Sequence, residues 1–152
     1  MAIETILLAV SSEEDERIEK VGSFTADVSA PTGATVTLAH VFDRSSYDDV
    51  KERLEFRPDD DVSPDTVAQR SVAVRDLSSL LDDADVDYEV RGRTADPDAV
   101  GAGIVDLAEE VDADLVVVGG RKRSPTGKAV FGSTAQEVML EAPCPVTFVR
   151  NE

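Results

Sequence analysis

The chain has 152 residues, 41% of them apolar, which fits one folded domain spanning 1–152 and excludes a disordered polymer. Its 32 Asp and Glu against 15 Lys and Arg leave a net charge of −17, a field that repels nucleic acid backbones and anionic membranes. The single Cys144 excludes an intrachain disulfide, and no apolar run approaches membrane-spanning length. Acids begin at Glu4 with no apolar leader after them, so the expected location is cytoplasmic. The acid-rich, lysine-poor usage suggests a halophile, where molar salt shortens the Debye length to about 3 Å and screens the self-repulsion.

Strand and helix signals alternate along the chain. Thr5–Val10 is a continuous apolar run, as expected of a strand buried on both faces. Ser11 to Val28 reads as a helix with Ile18, Val21 and Val28 on one face, capped by Ser11 or Ser12 and stopped by Pro31 and Gly33. Ala34–Phe42 is a second strand. Residues 43–62 are polar and aperiodic, and are expected to form a long mobile excursion with a helical piece over Val50–Leu54. Asp59-Asp60-Asp61 within it lacks the spaced acids of a calcium loop and reads as a solvated turn.

Ser63-Pro64 is an N-cap followed by proline in the first turn, opening a helix to Leu81 with Val67, Val74, Leu77 and Leu81 inward. Val86–Arg91 alternates as a third strand. Asp96-Pro97 repeats the cap-and-proline start for a helix whose inner face carries Val100, Ile104, Leu107, Ala108 and Val111. Leu115–Val118 is the fourth strand, Ser133–Glu141 the last helix and Pro145–Val149 the fifth strand. This order predicts an α/β fold: an open, Rossmann-like, five-stranded parallel sheet with helices on both faces. Ligands of such sheets bind beyond the carboxyl ends of the strands, at a topological switch point, here the loops after strands one and four.

The loop after strand four carries the strongest functional signal. Leu115–Gln136 contains no Asp or Glu, yet holds Arg121, Lys122, Arg123 and Lys128 together with Gly119, Gly120, Gly127 and Gly132. A connection of about thirteen residues also exceeds the usual 2–6 of such units. A cationic, glycine-rich loop leading into a helix N-terminus suits an anion, phosphate above all. The same end can equally be a plain capping box, Ser133 with Gln136 or Thr134 with Glu137. The P-loop pattern fails at Lys122 and Ala129, no G-x-G-x-x-G follows the first strand, and no G-x-S-x-G occurs. His40, the sole histidine, is expected to be packed and hydrogen-bonded, and Cys144 to be a small buried filler.

Along nearly its whole length the chain resembles the universal stress proteins, in a haloarchaeal, single-domain form. The resemblance rests on the apolar first strand, Leu38-Ala39-His40-Val41, Val116-Val117-Val118-Gly119-Gly120-Arg121, Phe131-Gly132-Ser133-Thr134-Ala135-Gln136-Glu137-Val138 and Ala142-Pro143-Cys144-Pro145-Val146. Nucleotide-binding members carry Gly, two residues, Gly, nine residues, then Gly and Ser or Thr. Here Gly119 and Gly132-Ser133 match, and Lys122 replaces the middle glycine. Ser11 stands where such members place an Asp, and Ser12 where they commonly have Gly.

The resemblance implies an ATP, ADP or AMP ligand, with or without Mg, in a stress-response module. Val41 and Val118 would touch the adenine, while Gly119, Gly132, Ser133 and Thr134 would hold ribose and phosphates. Ser11, Gly120, Arg121 and Lys122 complete the candidate set. It also implies a homodimer through the last strand, open to further protein partners. The alternative is a nucleotide-free dimeric adaptor of the same fold. With no general base or metal cage evident, any ATP hydrolysis is expected to be slow.

Overall fold

The computed structural model describes residues 2–10, 16–57, 59–120 and 132–150. Five strands, β1 (Thr5–Ala9), β2 (Thr35–Asp43), β3 (Tyr88–Ala95), β4 (Leu115–Gly120) and β5 (Val146–Arg150), form one sheet in the order β3-β2-β1-β4-β5. All four pairings are parallel, as the sequence predicts. Between β1 and β4 the strand order reverses direction, so a crevice opens there at the carboxyl ends.

Strand periodicity sorts the core into two layers. Ile6, Leu8, Val36, Leu38, Leu115 and Val117 pack against Val21 and Ala26 of α1 (Glu16–Thr32) and Val74, Leu77 and Leu81 of α4 (Val72–Asp83). Leu7, Ala39, Val41, Val116 and Val118 face Ile104, Leu107 and Ala108 of α5 (Val100–Glu110) and Ala135 and Val138 of α6 (Ser133–Glu141). Two buried hydroxyls in α1 avoid an unpaired cost by bonding back to helical carbonyls, Thr25 to Val21 at 2.8 Å and Ser29 to Thr25 at 2.6 Å.

Several boundaries differ from the expectations, each for a local reason. Helix α1 runs through Pro31 to Thr32, and Gly33 at φ 71° ends it; its expected caps, Ser11 and Ser12, lie outside the described residues. The segment after β2 is not an excursion with a short helical piece but opens directly into α2 (Arg44–Arg53), because the Asp43 carboxylate accepts the Ser45 N–H at 2.8 Å and caps it. Tyr47, Val50 and Leu54 pack around Phe42, Phe56 and Val67 as a third small cluster. Asp59, Asp60 and Asp61 are exposed, as expected of a solvated turn.

The long helix expected from Pro64 breaks into α3 (Pro64–Arg70) and α4. Ser71 is extended there, and its hydroxyl caps α4 by accepting the Val74 N–H. The break lets α3 lie on β3. Gly92 permits this contact, since a Cβ there would sit 2.1 Å from the Pro64 carbonyl oxygen. The Gly92 N–H, on the outer edge of the sheet, donates to Asp65 at 2.6 Å, so α3 covers that edge. Strand β3 runs on to Ala95, four residues past its expected end. Helix α5 starts at Val100 rather than at Asp96-Pro97, and the Asp96 carboxylate takes the Arg44 guanidinium at 2.8 Å instead of capping it.

Helices α2, α4 and α5 close alike. Glu55 (φ 67°), Asp85 (φ 56°) and Asp112 (φ 53°) each adopt the left-handed conformation just past the helix. The following N–H in each case reaches five residues back: Phe56 to Lys51, Val86 to Leu81 and Ala113 to Ala108. This is the Schellman arrangement, with an acid where glycine is usual. Its next residue, Phe56, Val86 or Ala113, is buried each time.

Candidate functional site

The ends of β1, β2 and β4 and the start of α6 surround a cavity of about 670 Å3, within the range of about 300–1,000 Å3 typical of small-molecule sites. Val10, Val118 and Gly119 form its floor, Val41 to Asp43 one wall, and Gly132 to Ala135 another. Val41 and Val118 are buried in the same layer of the core. Gly103 of α5 holds Val41 in place: a Cβ on that glycine would come within 3.0 Å of the valine. The apolar floor is thus set by packing from beneath.

At the other wall, α6 begins at Ser133 with Gly132 as its N-cap, φ −65° and ψ 158°, and among the described residues no side chain caps it. The capping box proposed for Ser133 or Thr134 does not form; Ser133 is already inside the helix, and its hydroxyl no longer stands at the capping position. Among the described residues no side chain caps the first N–H groups of α6, which carry the positive end of the helix dipole. A Cβ on Gly132 would meet nothing within 4 Å among the described residues. The cavity thus joins apolar strand ends at Val41 and Val118 to the N-terminal end of α6.

Of the residues singled out from the sequence, Val41, Val118, Gly119, Gly132, Ser133 and Thr134 line this one cavity. Gly120 ends β4, in register with Arg150 of β5. Ser11, Arg121 and Lys122 lie outside the described residues. The far end of the cavity is built by Ser46, Val50, Arg53 and Leu54 of α2 and its cap, and by Ser71 and Val72 at the start of α4. Sequence reading missed these. The only signal was the spacing of Tyr47, Val50 and Leu54, which puts three apolar side chains on one helical face.

His40 also lines the cavity, buried and stacked on Phe42 with ring centroids 4.1 Å apart. Burial lowers its pKa to about 4, so the ring is neutral at pH 7. It is packed as expected but not fully hydrogen-bonded, because Nδ1 has no partner among the described residues. Cys144 is half-buried rather than fully buried, packed beside the α5–α6 layer, and burial and then Asp114 push its thiol pKa up, away from reactivity. Among the described residues, no group of three or more His, Cys, Asp and Glu gathers as metal ligands would.

The fold agrees with what comparison with known proteins finds. The family model of the universal stress protein family matches residues 2–150, and the chain belongs to that family. A universal stress protein of Mycolicibacterium smegmatis is 40% identical over 88 residues, which span 53% of this chain and 61% of that protein. The matched stretch thus falls short of that relative's full length. Among solved structures, a universal stress protein from Archaeoglobus fulgidus superposes with a TM-score of 0.72 at 29% identity, covering 96% of this chain and 98% of that one. A universal stress protein structure from the same organism, in complex with dAMP, has a TM-score of 0.67 at 24% identity and covers 98% and 99% of the two chains.

Proposed function

We propose that the chain is a single-domain, adenine-nucleotide-binding regulatory module of the stress response. The observation that carries this reading is the pairing, in one cavity, of apolar Val41 and Val118 with the start of α6, which no side chain among the described residues caps. The dAMP complex of the Archaeoglobus fulgidus relative supports it by likeness of fold. Adenine lies against Val41 and Val118. Gly119, Gly132, Ser133 and Thr134 take ribose and phosphates, with Ser11, Gly120, Arg121 and Lys122 as the sequence-based complement. ATP, with or without Mg, ADP and AMP all fit this donor set. Thermal denaturation in molar KCl tests the reading: each nucleotide that binds raises the midpoint, by about 2.7 kcal/mol of stabilisation at 100 times its Kd. No shift with ATP, ADP or AMP would overturn it.

The module is proposed to act as a cytoplasmic homodimer in a halophilic cell. Strand β5 is an edge of the sheet, paired within the described residues only to β4. Leu140 of the neighbouring α6 is 82% exposed. A second copy placed against this edge would satisfy β5 and cover that leucine. Light scattering at high salt that reports a monomer would count against it.

A second reading, a nucleotide-free dimeric adaptor, is favoured by Lys122 and Ser11, which stand where nucleotide-binding relatives carry Gly and Asp. In that case Lys122→Glu with Ser133→Ala would leave fold and partner binding intact.

A further inference from the structure

A second pocket, of about 420 Å3, lies where the ends of α2 and α3 meet the start of α4. Three guanidinium side chains line it, Arg53, Arg70 and Arg75, with Glu55 as the one carboxylate. All three are exposed, and in a chain with 32 acids and 15 bases such a grouping around one pocket needs a reason. Ion pairing does not supply one: no carboxylate pairs with any of the three among the described residues, whereas Arg44, Lys51, Arg91 and Arg93 are all paired. Helix dipoles account for Arg53 and Arg70, which sit in last turns. They do not account for Arg75, the fourth residue of α4, where the dipole disfavours a cation. Arg70 is moreover held in place, its guanidinium 4.4 Å above the ring of the buried Phe56.

We propose that Arg53, Arg70 and Arg75 form a second anion site, separate from the α6 end, for a phosphoryl dianion. Guanidinium forks match carboxylates and phosphates alike. Three arginines against one carboxylate leave a local charge of +2, which a phosphoryl dianion balances and a single carboxylate does not. The dianion can be inorganic phosphate or the head of a small phosphate monoester. Arg53 and Leu54 also form part of the wall of the larger cavity, which leaves room for a monoester's body along Leu54.

The test is a phosphorus NMR titration at fixed ionic strength with inorganic phosphate and, separately, ribose 5-phosphate. Wild type should saturate with at least one of them, which tells the two sources apart. Arg70→Gln with Arg75→Gln should weaken binding at least tenfold, and Glu55→Gln should tighten it by removing the opposing charge. Because the Arg75 side chain makes no hydrogen bond or ion pair among the described residues, Arg75→Gln alone should keep the wild-type melting point and still weaken binding several-fold. Absence of saturable binding, or unchanged binding in the double variant, would overturn the proposal. So would binding lost only in Gly132→Ala, which would assign the anion to α6. A parallel adenosine titration separates this outcome from that of the nucleotide reading: adenosine carries no phosphoryl group, so the arginine variants should leave its binding unchanged.

Discussion

Gly132→Ala should separate binding from stability. The glycine sits at φ −65° and ψ 158°, a conformation that alanine adopts without strain, and its Cβ would meet no atom within 4 Å among the described residues. Restricting the unfolded chain should stabilise by about 0.4–1 kcal/mol. Replacing glycine by alanine at an N-cap should cost about 0.5–1 kcal/mol. The two nearly cancel, so the unfolding free energy should stay within about 0.5 kcal/mol of wild type. Binding should behave otherwise. A phosphate oxygen must come to about 2.9 Å from the N–H groups at this helix start, and the new methyl occupies its approach. Losing one charge-assisted hydrogen bond costs about 1.5–3 kcal/mol, or roughly 10- to 150-fold in Kd. Denaturant unfolding reads the first quantity and calorimetric titration with AMP the second. A variant that loses more than about 1.5 kcal/mol of stability, set against the cancelling terms above, or binds AMP like wild type, would refute the reasoning.

Three further outcomes follow from the fold. Asp85→Gly and Asp112→Gly remove left-handed acids from helix ends whose dipoles disfavour them; each should stabilise by about 0.5–1 kcal/mol after the entropy of glycine is set against the gain, read as an upward shift in melting temperature, additive in the double variant. Gly92→Ala would set a methyl 2.1 Å from the Pro64 carbonyl oxygen, so α3 must lift from β3 at a cost of about 3 kcal/mol or more, measured by denaturant unfolding. His40, with a folded pKa of about 4 against 6.5 unfolded, binds its proton more readily in the unfolded chain; stability should therefore fall as pH drops from 6.5 towards 4, by roughly 3 kcal/mol in all, and this slope should vanish from the pH profile of His40→Gln.

The sheet was legible because its strands are short apolar or alternating runs separated by helical periods, and parallel order follows from that alternation. The inward faces of the helices, Val74, Leu77 and Leu81 among them, were legible for the same reason. What escaped reading was local hydrogen-bond chemistry. Ser71 could sit in a continuous helix or cap a new one, and only the packing of α3 on Gly92 decides between them. Helix α2 is polar and half-solvated, so its start depends on the single Asp43 cap rather than on a repeating face. Three helix ends use acids in a conformation that sequence signals assign to glycine, which hides them. At the site, the floor and the α6 wall were visible as Val41, Val118 and Gly132-Ser133, because strand ends and a glycine before a helix leave marks in the sequence. The far wall came from α2, whose position depends on tertiary contacts, and so Arg53 and Leu54 were missed.

Calorimetric titration of the purified protein with AMP and ATP in molar KCl tests the central claim most directly. The account predicts saturable heat with about one nucleotide per chain, competition between AMP and ATP for one site, and weakening of both by Gly132→Ala. Heat of dilution alone with both nucleotides, or saturable binding indifferent to Gly132→Ala, would contradict it.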